Sequence, residues 1–235
     1  MNTTSAGLST KGPMVIGHRG ASGHAPENSL AAFRIAASAN HVATCSGVEL
    51  DIQVTADGEI VVYHDAVLAS GDPIPSLPSG RVRAVTLADG SALPTLREAL
   101  AVLDNLDVFI EAKHLPPAAD KLLLATITAA RRRCHIHAFD HRMIARLRRL
   151  DSSLSLGILS RSYPVDPVGQ VVHAGANTLW QEAYLIDQPL VAACHAVGIR
   201  VIAWTVNDAG QAAALARLGV DGLCGDWPER LRHSW

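Results

Sequence analysis

The sequence has no excess of positive charge: 20 Lys and Arg stand against 22 Asp and Glu, a formal charge of −2. A polyanion binder held by bulk charge is thereby excluded, and no nucleic-acid partner is expected, because no basic surplus exists to neutralise phosphates. It also lacks the run of roughly 18 apolar residues that a spanning helix requires, so no stable membrane insertion is expected. No leader pattern appears either. Met1-Asn2-Thr3-Thr4-Ser5-Ala6-Gly7 is small and polar, and residues 1–13 read as a flexible N-terminal tail. Cysteine is sparse: Cys45, Cys134, Cys194 and Cys224 form neither a CxxC pair nor a finger spacing. Reduced, buried thiols in a cytoplasmic protein are the expectation. Linkers, low-complexity tracts and internal repeats are missing too, which leaves 14–235 as one domain. With 235 residues, 49% of them apolar, the chain has material for one large core.

What is present is alternation. Strands are predicted over 14–18, 47–53, 107–112, 134–138, 155–159, 177–180, 200–205 and 221–224. Helices are predicted between them, over 29–40, 95–104, 118–133, 141–150, 166–174, 188–197 and 209–218, with a short turn after Pro228. Strict strand–helix alternation makes the strands parallel, because right-handed crossovers return the chain in one direction. Eight such units predict an α/β fold, a closed (β/α)8 TIM barrel whose site gathers at the carboxyl ends of its strands. A doubly wound open sheet is the rival. Its GxGxxG fingerprint is absent, since Gly17-His18-Arg19-Gly20-Ala21-Ser22-Gly23 sets His and Arg among the glycines.

One run breaks the alternation. Thr55-Ala56-Asp57-Gly58 is a hairpin signal, followed at once by Ile60-Val61-Val62-Tyr63-His64. An extra antiparallel strand is therefore expected after the second barrel strand, bringing His64 near Leu50 and Asp51. Residues 66–94, with Pro73, Pro75, Pro78, Gly71, Gly80 and Gly90, read as an insertion loop of roughly 30 residues, beyond the usual connection length.

The chemistry-bearing residues sit at strand ends. Glu49-x-Asp51 places two carboxylates on one strand face, with Val48, Leu50 and Ile52 turned to the helices. Two like charges there need a cation between them: an arginine, or a hard divalent ion such as Mg²⁺ or Ca²⁺, which prefers oxygen ligands. Glu111-x-Lys113 repeats the pattern in the third barrel strand. Glu111 can complete a three-carboxylate site, and Lys113 can meet an anionic substrate group. His18-Arg19 ends the first strand with a titratable imidazole and a guanidinium suited to phosphate. With His64 beside Asp51, two histidines would flank the cation, one to accept a proton and one to donate.

His18-Arg19-Gly20-Ala21-Ser22-Gly23, Pro26-Glu27-Asn28-Ser29, Ala32-Phe33, Glu49-Leu50-Asp51 and Tyr63-His64-Asp65 resemble the glycerophosphodiester phosphodiesterase family. So do Pro94-Thr95-Leu96, Glu111-Ala112-Lys113, Phe139-Asp140-His141, Trp204-Thr205-Val206-Asn207, Asp221-Gly222 and Asp226, in family order. The resemblance implies a distorted (β/α)8 barrel and metal-dependent hydrolysis of glycerophosphodiesters to sn-glycerol 3-phosphate and an alcohol. On that basis His18 looks like the general base and His64 the general acid, with Glu49, Asp51 and Glu111 holding one divalent cation. Arg19 and Lys113 would bind the phosphate, and Trp204 would wall the pocket. The 66–94 loop lies where family members carry a variable insertion. Leu68-Ala69-Ser70-Gly71, Ala138 and Gly225 depart from the family's usual residues, in positions that bear on substrate recognition. Trp180, Gln181 and Glu182 also differ from common members and suggest a pocket wall.

Other readings remain in view. A lysophospholipase D-type phosphodiesterase would keep the site and change the substrate, and would need an apolar groove beside it. A non-catalytic barrel that binds a phosphate ligand is a further alternative. His135-x-His137 suggests a barrel amidohydrolase, but that motif belongs on the first strand, so both histidines read as barrel filling. Arg131-Arg132-Arg133 and Arg146, Arg148 and Arg149 sit in helix tails, where cations complement the dipole.

Overall fold

The computed structural model describes residues 12–38, 45–131 and 133–232; most of the expected N-terminal tail (1–11) and the end of the helix expected over 29–40 lie outside them. In chain order the elements are β1 (Met14–Gly17), α1 (Leu30–Ala37), β2 (Gly47–Val54), β3 (Ile60–Val62), α2 (Ser79–Arg83), α3 (Leu96–Val102), β4 (Asp107–His114), α4 (Asp120–Ala129) and β5 (Cys134–Ala138). There follow α5 (His141–Leu150), β6 (Ser155–Ser160), α6 (Pro167–His173), β7 (Thr178–Glu182), α7 (Gln188–Ala196), β8 (Arg200–Trp204), α8 (Ala209–Leu218), β9 (Gly222–Gly225) and α9 (Pro228–Arg232).

Eight strands pair in parallel in the order β1-β9-β8-β7-β6-β5-β4-β2, and β1 pairs with β2 to close the ring. The fold is a (β/α)8 TIM barrel. Period-two alternation separates two apolar clusters. Val48, Leu50, Ile52, Val108, Ile110 and Ala112 join the large core between strands and helices. Their sequence neighbours turn the other way, and Ile16, Phe109, Leu159, Trp180, Ile202 and Cys224 form a separate cluster inside the barrel. Helix starts are fixed by side-chain caps. Thr95 and Glu98 make a reciprocal capping box on α3, and Asp140, Asp166, Asp187 and Asp208 each accept from a backbone N–H at the start of α5 to α8. No helix among the described residues is long and apolar enough to cross a membrane.

The extra strand lies outside the ring. β3 pairs antiparallel with β2 at Ile52↔Val62, Gln53↔Val61 and Val54↔Ile60. Its other edge is not left open, since Val62 N–H donates to Pro94 O at 2.8 Å. Residues 66–94, expected as plain loop, contain α2 and a 3-10 turn at Ile74–Ser76. Leu68, Ile74, Val82 and Leu93 bury against Val61 in a small core of their own. The turns that prolines and glycines predict are present; the apolar spacing between them is what folds the segment down.

β4 runs two residues past its predicted end because the ladder slips. Ile52 pairs with Ala112 but Gln53 with His114, so Lys113 is left between two rungs. Such a bulge re-aims a side chain, and here Lys113 Nζ reaches Glu111 Oε1 at 2.6 Å.

Candidate active site

A small cleft, about 70 Å³, opens at the carboxyl ends of the strands, lined by residues that include His18, Arg19, Glu49, His64, Glu111, Lys113 and Trp204.

His18 follows β1. Its Nδ1 lies 2.7 Å from Asp226 Oδ1. Asp226 also accepts from Ser22 Oγ at 3.0 Å and Asn207 Nδ2 at 2.6 Å. Burial pushes the Asp226 carboxyl up, but the bond and charge of His18, with Asn207 and Ser22, outweigh it and hold it at about 2. Asp226 is thus a carboxylate at neutral pH. A proton on His18 Nδ1 would face that carboxylate, and Nε2 would then be the nitrogen free to accept one.

Arg19 sits at φ 54°, in the left-handed region, followed by Gly20 at 88°. For a residue with a side chain this costs on the order of 1 kcal/mol. The strained turn aims Arg19 N–H at Glu49 Oε2, 3.0 Å away. The guanidinium donates from Nη1 to both Glu27 oxygens at 2.8 Å, and Nε lies 3.3 Å from Asp51 Oδ2.

Asp51 is almost wholly buried. Asn28, itself at φ 56°, donates through Nδ2 to Asp51 Oδ2 at 2.8 Å and accepts from Asp51 N–H at 3.2 Å. Lys113 Nζ stands 3.3 Å from the other oxygen. Burial raises the Asp51 carboxyl, yet Lys113, Arg19 and Asn28 together bring it below its ordinary value. Burial would likewise lower Lys113, but Asp51 and Glu111 keep it raised. Glu49 goes the other way: burial, then the charges of Asp51 and Glu111, push it well above the carboxylate range. Burial and Asp51 lift Glu111 to about 7 against the pull of Lys113.

His64 follows β3, and the hairpin fixes its place. Tyr63 N–H donates to Asp51 O at 3.1 Å, and the buried Gln53 amide donates to the carbonyls of Tyr63, His64 and Asp65. His64 Nδ1 lies 2.7 Å from Asp65 Oδ1. Two imidazoles therefore line the cleft, each with a carboxylate on Nδ1.

The buried acids suit a cation. Glu49 Oε1 is buried without a hydrogen-bond partner, which is costly unless positive charge faces it, whereas Asp51 Oδ1 already meets the Lys113 ammonium at 3.3 Å. Among the described residues, Glu49, Glu111 and His137 each offer one ligand atom, all within 4.8 Å of one another. Sequence reasoning assigned His137 to packing. The structure puts it beside the acids, its ring stacked on Trp180 at 4.2 Å and 8° and its Nδ1 unpartnered. Burial holds the imidazole down at about 3, so it is a neutral donor. Period two places His135 and His137 on one face, which signals the inward turn; only the barrel's closure shows which groups meet there. His135 goes elsewhere, stacking on Phe109 at 4.4 Å and meeting Ser155 Oγ at 2.7 Å, so the two do not form a pair.

Trp204 stands at the end of β8 with Phe139 edge to face at 5.6 Å and 75°. Arg161, which no motif marked, lies over both rings at 5.3 and 5.2 Å.

The sequence matches the profile of the glycerophosphoryl diester phosphodiesterase family over residues 18–230. A glycerophosphodiester phosphodiesterase from Caldanaerobacter subterraneus subsp. tengcongensis is 30% identical, over 93% of this chain and 96% of its own. A phosphodiesterase from Oleispira antarctica, solved with the product sn-glycerol-3-phosphate, superposes with a TM-score of 0.82 at 25% identity, over 95% of this chain and 96% of its own. A glycerophosphodiester phosphodiesterase from Thermotoga maritima does so at 0.73 and 25%, over 92% and 96%. With strand order, motif order and nearly the whole length in agreement, the chain belongs to the glycerophosphoryl diester phosphodiesterase family.

Proposed function

We propose that this chain hydrolyses small glycerophosphodiesters to sn-glycerol 3-phosphate and an alcohol, with His18 and His64 moving the protons. The observation that carries this reading is the meeting of an unpartnered buried Glu49 oxygen, beside Glu111 and His137, with two carboxylate-anchored imidazoles at one cleft. Glu49 and Glu111, with His137 in reach, would hold one divalent cation, Mg²⁺ or Ca²⁺, with Asp51 as the third carboxylate, on the same strand face as Glu49 and itself already met by Lys113, Arg19 and Asn28. Such a cation supplies charge neutralisation to the phosphate oxygens.

The residues divide the remaining work. His18 Nε2, left as a base by the Nδ1–Asp226 contact, takes the proton from the attacking hydroxyl, either of water, which gives glycerol 3-phosphate directly, or of the substrate's own glycerol, which gives a cyclic phosphate that a water must then open to glycerol 3-phosphate. As the new O–P bond forms, the P–O bond to the alcohol breaks, and His64 gives its proton to the departing oxygen. Lys113 and Arg19 carry positive charge to the same mouth, although each is already engaged by acids. They act as much by holding Asp51 and Glu111 in place as by facing phosphate. Arg161 over the aromatic pair favours a water-soluble alcohol over the acyl chain of a lysophospholipid.

Incubation with glycerophosphoethanolamine tests the reading. Release of glycerol 3-phosphate is expected with Mg²⁺ or Ca²⁺, with loss on chelation and recovery on adding the ion back. Binding without turnover under every ion would point to the non-catalytic barrel, and full activity in chelator would remove the metal from the mechanism.

A further inference from the structure

Arg161 follows β6 directly, and its backbone is pinned. The Ser160 hydroxyl donates to the Ser162 carbonyl at 2.8 Å and accepts from Ser162 N–H at 3.2 Å. The wholly buried Gln181 amide, from β7, donates to the same carbonyl at 3.1 Å. Gln181, whose purpose the sequence left open, thus anchors the turn that presents the arginine.

The guanidinium lies over the Phe139 and Trp204 rings at 5.3 and 5.2 Å, within the range of cation–π attraction. The other two cations of the cleft are already matched: Arg19 is clasped by Glu27 and Asp51, and Lys113 by Glu111 and Asp51. Among the described residues Arg161 makes no ion pair, and it is exposed to the cleft. The aromatic faces that would receive a quaternary ammonium are therefore already covered by a cation. The same cation presents uncompensated positive charge to whatever occupies that wall.

We propose that Arg161 is a specificity-determining residue that selects diesters whose alcohol carries a second anionic group and disfavours those whose alcohol is only cationic. This rests on the phosphodiesterase reading above and adds the substrate class. A guanidinium facing a carboxylate forms charge-assisted hydrogen bonds, while the residue's exposure keeps the gain modest.

Glycerophosphoserine and glycerophosphoethanolamine differ by one carboxylate and isolate the effect. Wild-type protein with Mg²⁺ or Ca²⁺ should favour the serine diester in kcat/KM on the order of fivefold to tenfold, chiefly through KM. Raising the salt should shrink that preference. Arg161→Gln, with folding checked by circular dichroism, should bring the ratio toward one, and Arg161→Glu should invert it. Equal use of both diesters by the wild type, or a preference that survives Arg161→Gln unchanged, overturns the inference while leaving the phosphodiesterase reading intact. No turnover of either diester overturns that reading and this one with it.

Discussion

The two halves of the barrel mouth are built from different materials. β1, β2 and β4 supply Arg19, Glu49, Asp51, Glu111 and Lys113, a lattice in which each charge leans on at least one other. β5 to β8 and the turns after them supply His137, Phe139, Leu159, Trp180 and Trp204, which meet by stacking and edge contacts. In the charged wall the loss of one group leaves a buried neighbour unpaired, so substitutions there should propagate. In the aromatic wall the loss of one ring removes contact area without stranding a buried charge, so a change should propagate less. Under the proposed function, reaction chemistry and substrate choice would fall mostly on separate sides of one cleft, His137 being the residue that reaches from the aromatic side to the acids.

The sharpest way to break this division is to remove the proton carriers. His18→Ala and His64→Ala should each lower kcat about 10²–10⁴-fold in a glycerol 3-phosphate release assay. The His18 variant should be the more severe, because its partner Asp226 is fixed in a half-buried network with Asn207 and Ser22, whereas the His64–Asp65 pair lies nearer solvent. Normal turnover in both variants would mean that the charged wall does not perform the proton transfers.

Much of the charged wall can be read from sequence spacing, because its members come in short motifs. Glu49 and Asp51 share a strand face by period two, and the hairpin over Thr55–Gly58 places His64 beside them; Tyr63 N–H to Asp51 O realises that register. Helices 141–150 and 209–218 fall where apolar periodicity and Asp caps put them. The aromatic wall resists such reading. His137 meets Glu49 and Glu111 only because the sheet closes, and Arg161 meets Phe139 and Trp204 across three separate strand ends. His18 and Asp226 are 208 residues apart in the chain. Local periodicity states which way a side chain turns; it carries no information on who waits across the barrel. The Lys113 bulge is similar, since a one-residue slip between strands leaves no mark in composition.

A middling effect is expected on the other wall. Trp204→Ala should raise KM about tenfold and leave kcat nearly unchanged, because a large ring contributes contact area rather than a moving proton. Phe139→Ala should do less, as Phe139 is 41% exposed. Steady-state kinetics on glycerophosphoethanolamine separate the two constants. A fall in kcat comparable to that of the histidine variants would erase the distinction between the walls.

The smallest effect distinguishes the walls by sign. In chelated protein Glu111 is raised to about 7 by burial and Asp51, so the folded state binds a proton that the unfolded chain releases near 4.5. Its contribution is present below pH 4.5 and is lost as pH climbs to about 7. His137 is lowered to about 3 by burial, so its contribution is present above its ordinary 6.5 and is lost as pH falls toward 3. The opposed slopes partly cancel in the wild type, and difference measurements recover them. The Tm of wild type minus that of Glu111→Gln should fall by a few degrees between pH 4.5 and 7, and wild type minus His137→Asn should rise over pH 3 to 6.5. Differential scanning fluorimetry in chelator reads both. Slopes of the same sign would show that the buried imidazole and the buried carboxyl do not titrate as members of separate walls.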